Sequence, residues 1–479
     1  MPADSVRTLT ILHLNDVYEL TPVEGGAAGG LARVATLRQR LLAENPRLLT
    51  VLAGDFLSPS ALGTARVDGQ RLAGRQMVAV LNALGLDVAA LGNHEFDLTE
   101  DDFRARMAEA RFPHVSGNAR PAPGAPPFPN VSERLVLRAG EARGEPVTVG
   151  IVSAVIPSTV KPYVAYDDAL ETLARDLAAL PGDVDVRLAL THLDFGTDLR
   201  AAETLALDLV LGGHEHDNIL ARRGPMRTPI AKADANARTV WVHRVHVHAR
   251  RGVVGTEHEL VFIDETIPED AAVAAEVARW VEAGFAGFRA DGFEPTRRVA
   301  TLPEPLDGRE ATVRNRPAPL AALIAEGFYR AARADGAPAE AAVFNGGSIR
   351  IDDVLTPGVF TEYDAIRVLP FGGEVVSVRL PGALLARVLA QGLANVGTGG
   401  YLQTHGLALG EDGRWRIGGQ PLDPDRVYTI ATSDFLVSGR ETGLGYFNAA
   451  SNPDVTITGR HGDVRRALIL EVVRRYGAE

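Results

Sequence analysis

The chain has 479 residues, 46% of them hydrophobic and 23% charged, with a formal net charge of −12 and no cysteine. The length predicts two or three domains of ordinary globular type. The acidic balance argues against a nucleic-acid polymer as main partner, since phosphate backbones are met by Lys/Arg stripes. The missing cysteine excludes disulfides, thiolate nucleophiles and thiolate-bound zinc, so any metal must sit on His, Asp, Glu or Asn. A small phosphorylated substrate is compatible with the charge, because bound metals reverse the local field.

The opening stretch MPADSVRTLTILHLND has no apolar signal core before its first strand-like run, and no segment has the length of apolar residues that spans a bilayer. The expectation is a soluble cytoplasmic protein without a membrane partner. A signal removed ahead of this sequence is left open, and nothing indicates an oligomeric state. LTILHLND and LLTVLAGD read as buried strands ending in an acid. Between them Leu31, Val34, Leu37 and Leu41 fall near helical spacing. VAALGNHEFD, VRLALTHLD and LDLVLGGHEHD repeat the plan of an apolar run with a polar end, which is an α/β layout. PAPGAPPFPN is a Pro-rich surface excursion. VWVHRVHVHAR alternates and predicts an antiparallel strand, with His243, His246 and His248 as surface side chains. Beyond Asp264 the texture changes. A helix with Pro268 near its start runs into a Gly/Pro stretch from Asp291 to Pro305, where the domain link is placed. The expected organisation is a first domain over 1–265, a linker helix over 266–300 and a second domain over 301–479. The second domain opens with the helix APLAALIAEGFYRAAR and continues in strands such as EVVSVRL and RVYTIATSDF.

Metal-type ligands stand at five strand ends: Asp16, Asp55, Asn93, His192 and the pair His214/His216. Taken singly, an Asp after a strand is as well explained by a turn or a helix cap. Together they point to one site, because strand C-terminal ends of an α/β sheet converge on one edge. His214 and His216 are two apart, so both point to one side if extended. Gly212 and Gly213 let the backbone approach closely. Carboxylate and imidazole without thiolate suit zinc, manganese or iron. One carboxylate must bridge two cations, and Asp55 is the natural choice.

The ordered set LNDVY, GDFLSPS, GNHEFD, TH and GGHEH resembles the calcineurin-like metallophosphatase superfamily. Followed by NGGSIR, LPFGG, GYLQ and SDFLVSGRETGLGYF, it is similar to the two-domain 5′-nucleotidase family over nearly the whole chain. The resemblance implies an α-β-β-α sandwich followed by a smaller α+β domain, with the active site between the two. It implies one metal on Asp16, Asp55 and His216 and a second on Asp55, Asn93, His192 and His214. The two would be divalent or mixed-valence ions of manganese, zinc or iron. A metal-bound hydroxide would be the nucleophile. His94 and Asp97 match the catalytic dyad, and their spacing of three lets Asp97 orient His94 across one helical turn. Arg350 would hold phosphate, Tyr401 and Phe435 would sandwich a nucleobase, and Glu441 would meet ribose hydroxyls. The reaction implied is hydrolysis of nucleoside 5′-monophosphates. The alternatives are a 2′,3′-cyclic nucleotide phosphodiesterase and a nucleotide-binding module with impaired catalysis.

Two positions depart from the family pattern. Glu441 replaces a shorter Asp. Tyr18 stands where the family has a His on the first metal, and a phenol with pKa about 10 is a poor zinc ligand. Three explanations are open: fewer ligands on that metal, a harder ion that accepts a phenol oxygen, or a contact from Glu19.

Overall fold

The computed structural model describes residues 6–143 and 145–477. Residues 1–5, part of the stretch searched for a signal, lie outside them. The chain divides into two compact units, Met1–Gly287 and Phe288–Glu479. Among the described residues no helix is long and apolar enough to cross a membrane.

The first unit is built on two sheets. One runs in the order Gly252–Phe262, Thr239–His248, Val6–Leu14, Leu48–Ala53, Val88–Ala90, His114–Val115, Val131–Ser132. The other runs Ile219–Arg223, Thr228–Lys232, Leu209–Gly212, Val186–Leu190, Val147–Val152, Arg134–Ala139. The continuous apolar runs of the sequence become the parallel central strands, covered on both faces. Leu9, Ile11, Val51 and Ala90 of the first sheet pack against Ile151, Leu188 and Leu211 of the second. The helices Ala169–Ala178 and Phe195–Thr204 cover the far face of the second sheet through Leu173, Ala201 and Ala202. The expected helix after the first strand is Leu31–Glu44, with Leu31 and Val34 fully buried.

The strand Thr239–His248 pairs antiparallel with both Val6–Leu14 and Gly252–Phe262. Its histidines correct the surface expectation. His243 is fully buried and His248 nearly so, while His246 is half-buried. The strand is an inner one: the face of Trp241, His243, Val245 and Val247 meets the second sheet, while His246 and His248 lie on the opposite face. His243 stacks on Trp241 and bonds through Nδ1 to His258 Nδ1 at 2.8 Å, and its Nε2 lies 3.5 Å from His13 Nδ1.

The second unit carries a mixed sheet in the order Leu402–His405, Ala341–Asn345, Val427–Ser433, Glu374–Pro381, Thr456–Asp463. Pro319–Ala334 and Val464–Tyr476 pack on one face through Leu320, Phe328, Leu468 and Val472. Gly382–Ala394 packs on the other through Leu385 and Val388, against Val376 and Ile430.

Candidate metal centre

The six ligand candidates come from strand ends of two sheets, not of one. Asp16, Asp55 and Asn93 follow Val6–Leu14, Leu48–Ala53 and Val88–Ala90 of the first sheet. His192, His214 and His216 follow Val186–Leu190 and Leu209–Gly212 of the second. The sandwich brings these ends together. Asp16, Asp55 and His192 are buried and offer ligand atoms within 4.8 Å of one another. His216 Nε2 lies 3.1 Å from Asp16 Oδ1, the His214 N–H donates to Asp16 Oδ2 at 2.9 Å, and the rings of His192 and His214 are 5.4 Å apart.

The backbone is not extended here, contrary to what the two-residue spacings suggest. Asp16 has φ 53°, Asp55 56°, His214 90° and His216 57°. The backbone is left-handed at each of these positions, and the Tyr18 hydroxyl still reaches Asp16 Oδ1 at 3.2 Å. Such conformations are uncommon outside glycine and gather at functional sites. Close approach of the loops explains the neighbouring glycines. A Cβ at Gly92 would stand 2.1 Å from Asp55 Oδ1, and one at Gly213 2.6 Å from the Ala53 carbonyl.

The donor set fits cations. His192 Nδ1 bonds the Ala53 carbonyl at 2.8 Å, which makes it the protonated nitrogen and leaves Nε2 as a lone pair. That Nε2 points at Asp55 Oδ2 at 3.1 Å and Asp16 Oδ1 at 3.8 Å, without hydrogen-bond geometry. A lone pair facing two carboxylates needs a proton or a cation between them. Burial lowers the His192 pKa, but Asp55 and Asp16 outweigh it and push it up to about 10. Burial works to raise Asp16, yet His192 and His216 hold it well below the usual carboxylate range. Asn93 Oδ1 is buried with no hydrogen-bond partner, a further oxygen available to a cation.

Tyr18 is buried, and its hydroxyl lies 3.2 Å from Asp16 Oδ1, 3.4 Å from Asp55 Oδ2 and 3.1 Å from His216 Nε2. The phenol oxygen therefore sits among the residues matched to the first metal. Glu19 is half-buried and shares with Tyr18 a backbone bond to Asn236 Oδ1.

His94 and Asp97 lie in the short 3-10 helix His94–Asp97, where His94 Nδ1 and Asp97 Oδ2 are 2.7 Å apart. The His94 N–H donates to Asp55 Oδ1 at 2.8 Å, and Ser58 Oγ donates to Asp97 Oδ2 at 3.0 Å. Sequence reasoning missed Glu95, which is fully buried and accepts the backbone N–H groups of Asp55, Phe56, Leu57 and Gly92 at 2.5–3.1 Å. It pins the loop of Asp55 to that of Asn93. Burial, then the Asp55 charge, pushes its pKa up to about 7. Its signal was an acid inside GNHEFD flanked by functional residues. Asn15 was also missed; its Nδ2 donates to Asp16 Oδ2 at 2.7 Å, and it bonds both backbone groups of Ala233.

In the second unit, Arg350 Nη1 donates to Glu310 Oε1 at 3.2 Å, and its guanidinium lies 5.8 Å from the Phe371 ring centroid. Arg314 bonds the same Glu310 oxygen. Glu441 Oε2 accepts from Asn345 Nδ2 at 2.7 Å, tying the NGGSIR turn to the SGRE loop. Tyr401 is buried, and Phe435 is half-buried with the Arg440 guanidinium 5.2 Å from its ring centre.

Comparison with known proteins agrees with this geometry. Residues 9–218 match the calcineurin-like phosphoesterase model, and 298–450 match that of the 5′-nucleotidase C-terminal domain. The chain is 26% identical over 498 residues to 5′-nucleotidase of Homo sapiens, covering 91% of this chain and 84% of that one. A 5′-nucleotidase precursor from Thermus thermophilus shares the fold with a TM-score of 0.79 at 23% identity, covering 99% and 97% of the two chains. A sulfate thiohydrolase, SoxB, from the same organism superposes with a TM-score of 0.70 at 16% identity, covering 98% and 94%. The chain belongs to the two-domain 5′-nucleotidase family of the calcineurin-like metallophosphatase superfamily.

Proposed function

We propose that this chain is a metal-dependent phosphohydrolase that cleaves nucleoside 5′-monophosphates to nucleoside and phosphate. The observation that carries it is the buried convergence of Asp16, Asp55 and the His192 Nε2 lone pair, with the His94–Asp97 pair hydrogen-bonded to the same Asp55 loop. Asp16, Asp55 and His216 would hold one cation, and Asp55, Asn93, His192 and His214 the other, with Asp55 shared. Two such ions supply a nucleophile at neutral pH and neutralise charge on the transferring phosphoryl group. Asp97 fixes the imidazole of His94, which donates to the phosphoryl oxygens and helps the leaving group take a proton.

Tyr18 bears on metal identity. Its oxygen would add a fourth side chain to the three assigned to the first site, and an oxygen ligand suits iron or manganese better than zinc. In the second unit Arg350 offers a planar donor fork to phosphate. Tyr401 and Phe435 offer faces for a base, and Glu441 reaches toward the sugar.

The test is a phosphate-release screen across nucleoside 5′-monophosphates, with metal analysis of the protein as purified. Release from 5′-monophosphates with manganese or iron is expected. Turnover of 2′,3′-cyclic nucleotides alone would replace this reading with phosphodiester cleavage. Tight nucleotide binding without turnover at any metal would replace it with a binding module.

A further inference from the structure

The chain has two lysines, Lys161 and Lys232, among 49 Lys and Arg residues. Lys232 is fully buried. It closes the strand Thr228–Lys232 and pairs there with Gly212, the last residue of the strand that leads to the histidine turn. Its Nζ donates to the Leu193 carbonyl at 2.6 Å and meets Asp198 Oδ2 at 2.8 Å and Glu215 Oε2 at 2.5 Å. A buried ammonium is costly unless paired, and here Nζ donates to two acceptors and lies in ion-pair contact with the Asp198 carboxylate. A planar guanidinium does not match that arrangement, which accounts for a lysine here in a chain that otherwise uses arginine.

Two of these partners lie in loops that carry imidazoles, and the third, Asp198 in the helix Phe195–Thr204, reaches the His192 loop through Thr191. Leu193 follows His192. Asp198 Oδ1 accepts from the hydroxyl of Thr191, the residue before His192, at 2.8 Å. Glu215 lies between His214 and His216, and its other oxygen accepts the Phe195 N–H at 2.5 Å. The space is filled: a Cβ at Gly212 would stand 3.0 Å from both Lys232 Cε and Asp198 Oδ2. Lys232 itself is held by its carbonyl, which accepts from Trp241 Nε1 at 2.8 Å.

We propose that Lys232 is a positioning residue for the metal centre: its ammonium ties the His192 loop to the turn of His214 and His216, so that the three imidazoles are in place before a cation arrives. The inference rests on the metal-centre reading above. The histidine turn has left-handed backbone at both ligands, and Glu215 is the side chain through which Lys232 holds it in that shape.

The test is calorimetric titration of the metal-free full-length protein with Mn²⁺, with thermal melting of the same samples. Lys232→Met is expected to weaken Mn²⁺ binding about 10–100-fold, the range for partners behind metal ligands. Turnover at saturating Mn²⁺ should return to within a few-fold of wild type, with KM for nucleotide unchanged. A purely structural role would lower the melting temperature and leave Mn²⁺ affinity alone. A folded Lys232→Met protein that binds Mn²⁺ as wild type overturns the proposal. If that variant does not fold, Glu215→Gln carries the test: weaker Mn²⁺ binding supports the proposal, and wild-type affinity overturns it. Asp55→Asn runs alongside. If it also binds Mn²⁺ normally, the metal-centre reading itself has failed. If it loses binding while Lys232→Met keeps it, only the role of Lys232 has failed.

Discussion

The two units hold their candidate functional residues in different ways. In the first, Asp16, Asp55, His214 and His216 all sit on left-handed backbone, and Glu95, Asn15 and main-chain groups bind the loops around them. In the second, none of Arg350, Tyr401, Phe435 and Glu441 has a positive φ. Arg350 and Glu441 are steered by side-chain partners instead, Glu310 and Asn345 respectively. Each strained position of the first unit costs on the order of 1–3 kcal/mol and persists only when its surroundings over-determine it. On the function proposed above, the contrast would separate a tightly bonded place for chemistry from a recognition surface set by side-chain contacts. Substitutions in the first unit should therefore damage turnover, and those in the second should shift substrate preference.

Asp55→Asn is the severest test of the first unit. One charge is removed from a carboxylate assigned to two cations, and kcat is expected to fall by about 10³-fold, the upper end for loss of a single electrostatic group. Mn²⁺ stoichiometry, measured on the same sample, should drop below two. Near-normal kcat with both ions bound would break the assignment.

His94→Ala comes next. It should lower kcat by about 10²-fold while KM changes little, because the lost donor acts on the transition state. Steady-state kinetics on a nucleotide and on a simple aryl phosphate should give the same loss.

Tyr401→Ala and Phe435→Ala probe the second unit. Stacking on a base is worth about 1–3 kcal/mol, so KM for nucleotide should rise about tenfold while the aryl phosphate is spared. Equal loss on both substrates would assign these rings to packing.

The first unit also carries a pH liability. Burial pushes the pKa of His114 down to about 4, with its bond to the Asn130 carbonyl only partly opposing. The unfolded chain, with a histidine pKa near 6.5, therefore binds more protons than the folded one between those values. The stability contributed by neutral His114 is full above about pH 6.5 and is lost as pH falls toward 4. Unfolding free energies from urea titrations at pH 7.5 and 5 should differ more for wild type than for His114→Gln, by about 1–2 kcal/mol at ~1.4 kcal/mol per pKa unit.

The smallest effect is expected at Tyr18. Tyr18→Phe should reduce occupancy of the first metal site by a few-fold in iron or manganese. Tyr18→His should move its preference toward zinc, for which imidazole is a good ligand. Unchanged occupancy for the Phe variant would make the ring a packing group.

Much of this is legible in the sequence. The apolar runs before Asp16, Asp55, Asn93, His192 and His214 are strands, because continuous β-rich runs bounded by polar residues have few other solutions. The pairing of His94 with Asp97 follows from a spacing of three. The turns do not read out. Two-residue spacing suggests extended chain, whereas Asp16 and the histidine pair turn left-handed under contacts from distant residues, such as Gly54 O to Asp16 N at 3.0 Å. His243 looks exposed in sequence because alternation marks a two-faced strand but does not say which face meets another sheet; His248, on the opposite face, is buried as well. Lys232 is silent for a related reason, and the role of Glu95 shows only as an acid inside GNHEFD. The buried ammonium of Lys232 is defined by partners far along the chain, and no local pattern announces them.

The sealing of Lys232 leaves half-buried Lys161 as the one lysine open to reagents, with its Nζ 3.4 Å from the Asp97 carbonyl. A side-chain amine label would therefore land at a single address beside the residue that orients His94. A fluorophore placed there would report on the dyad, and a solid support coupled there would crowd it. Attachment elsewhere calls for an introduced cysteine, which this cysteine-free chain accepts with no competing thiol.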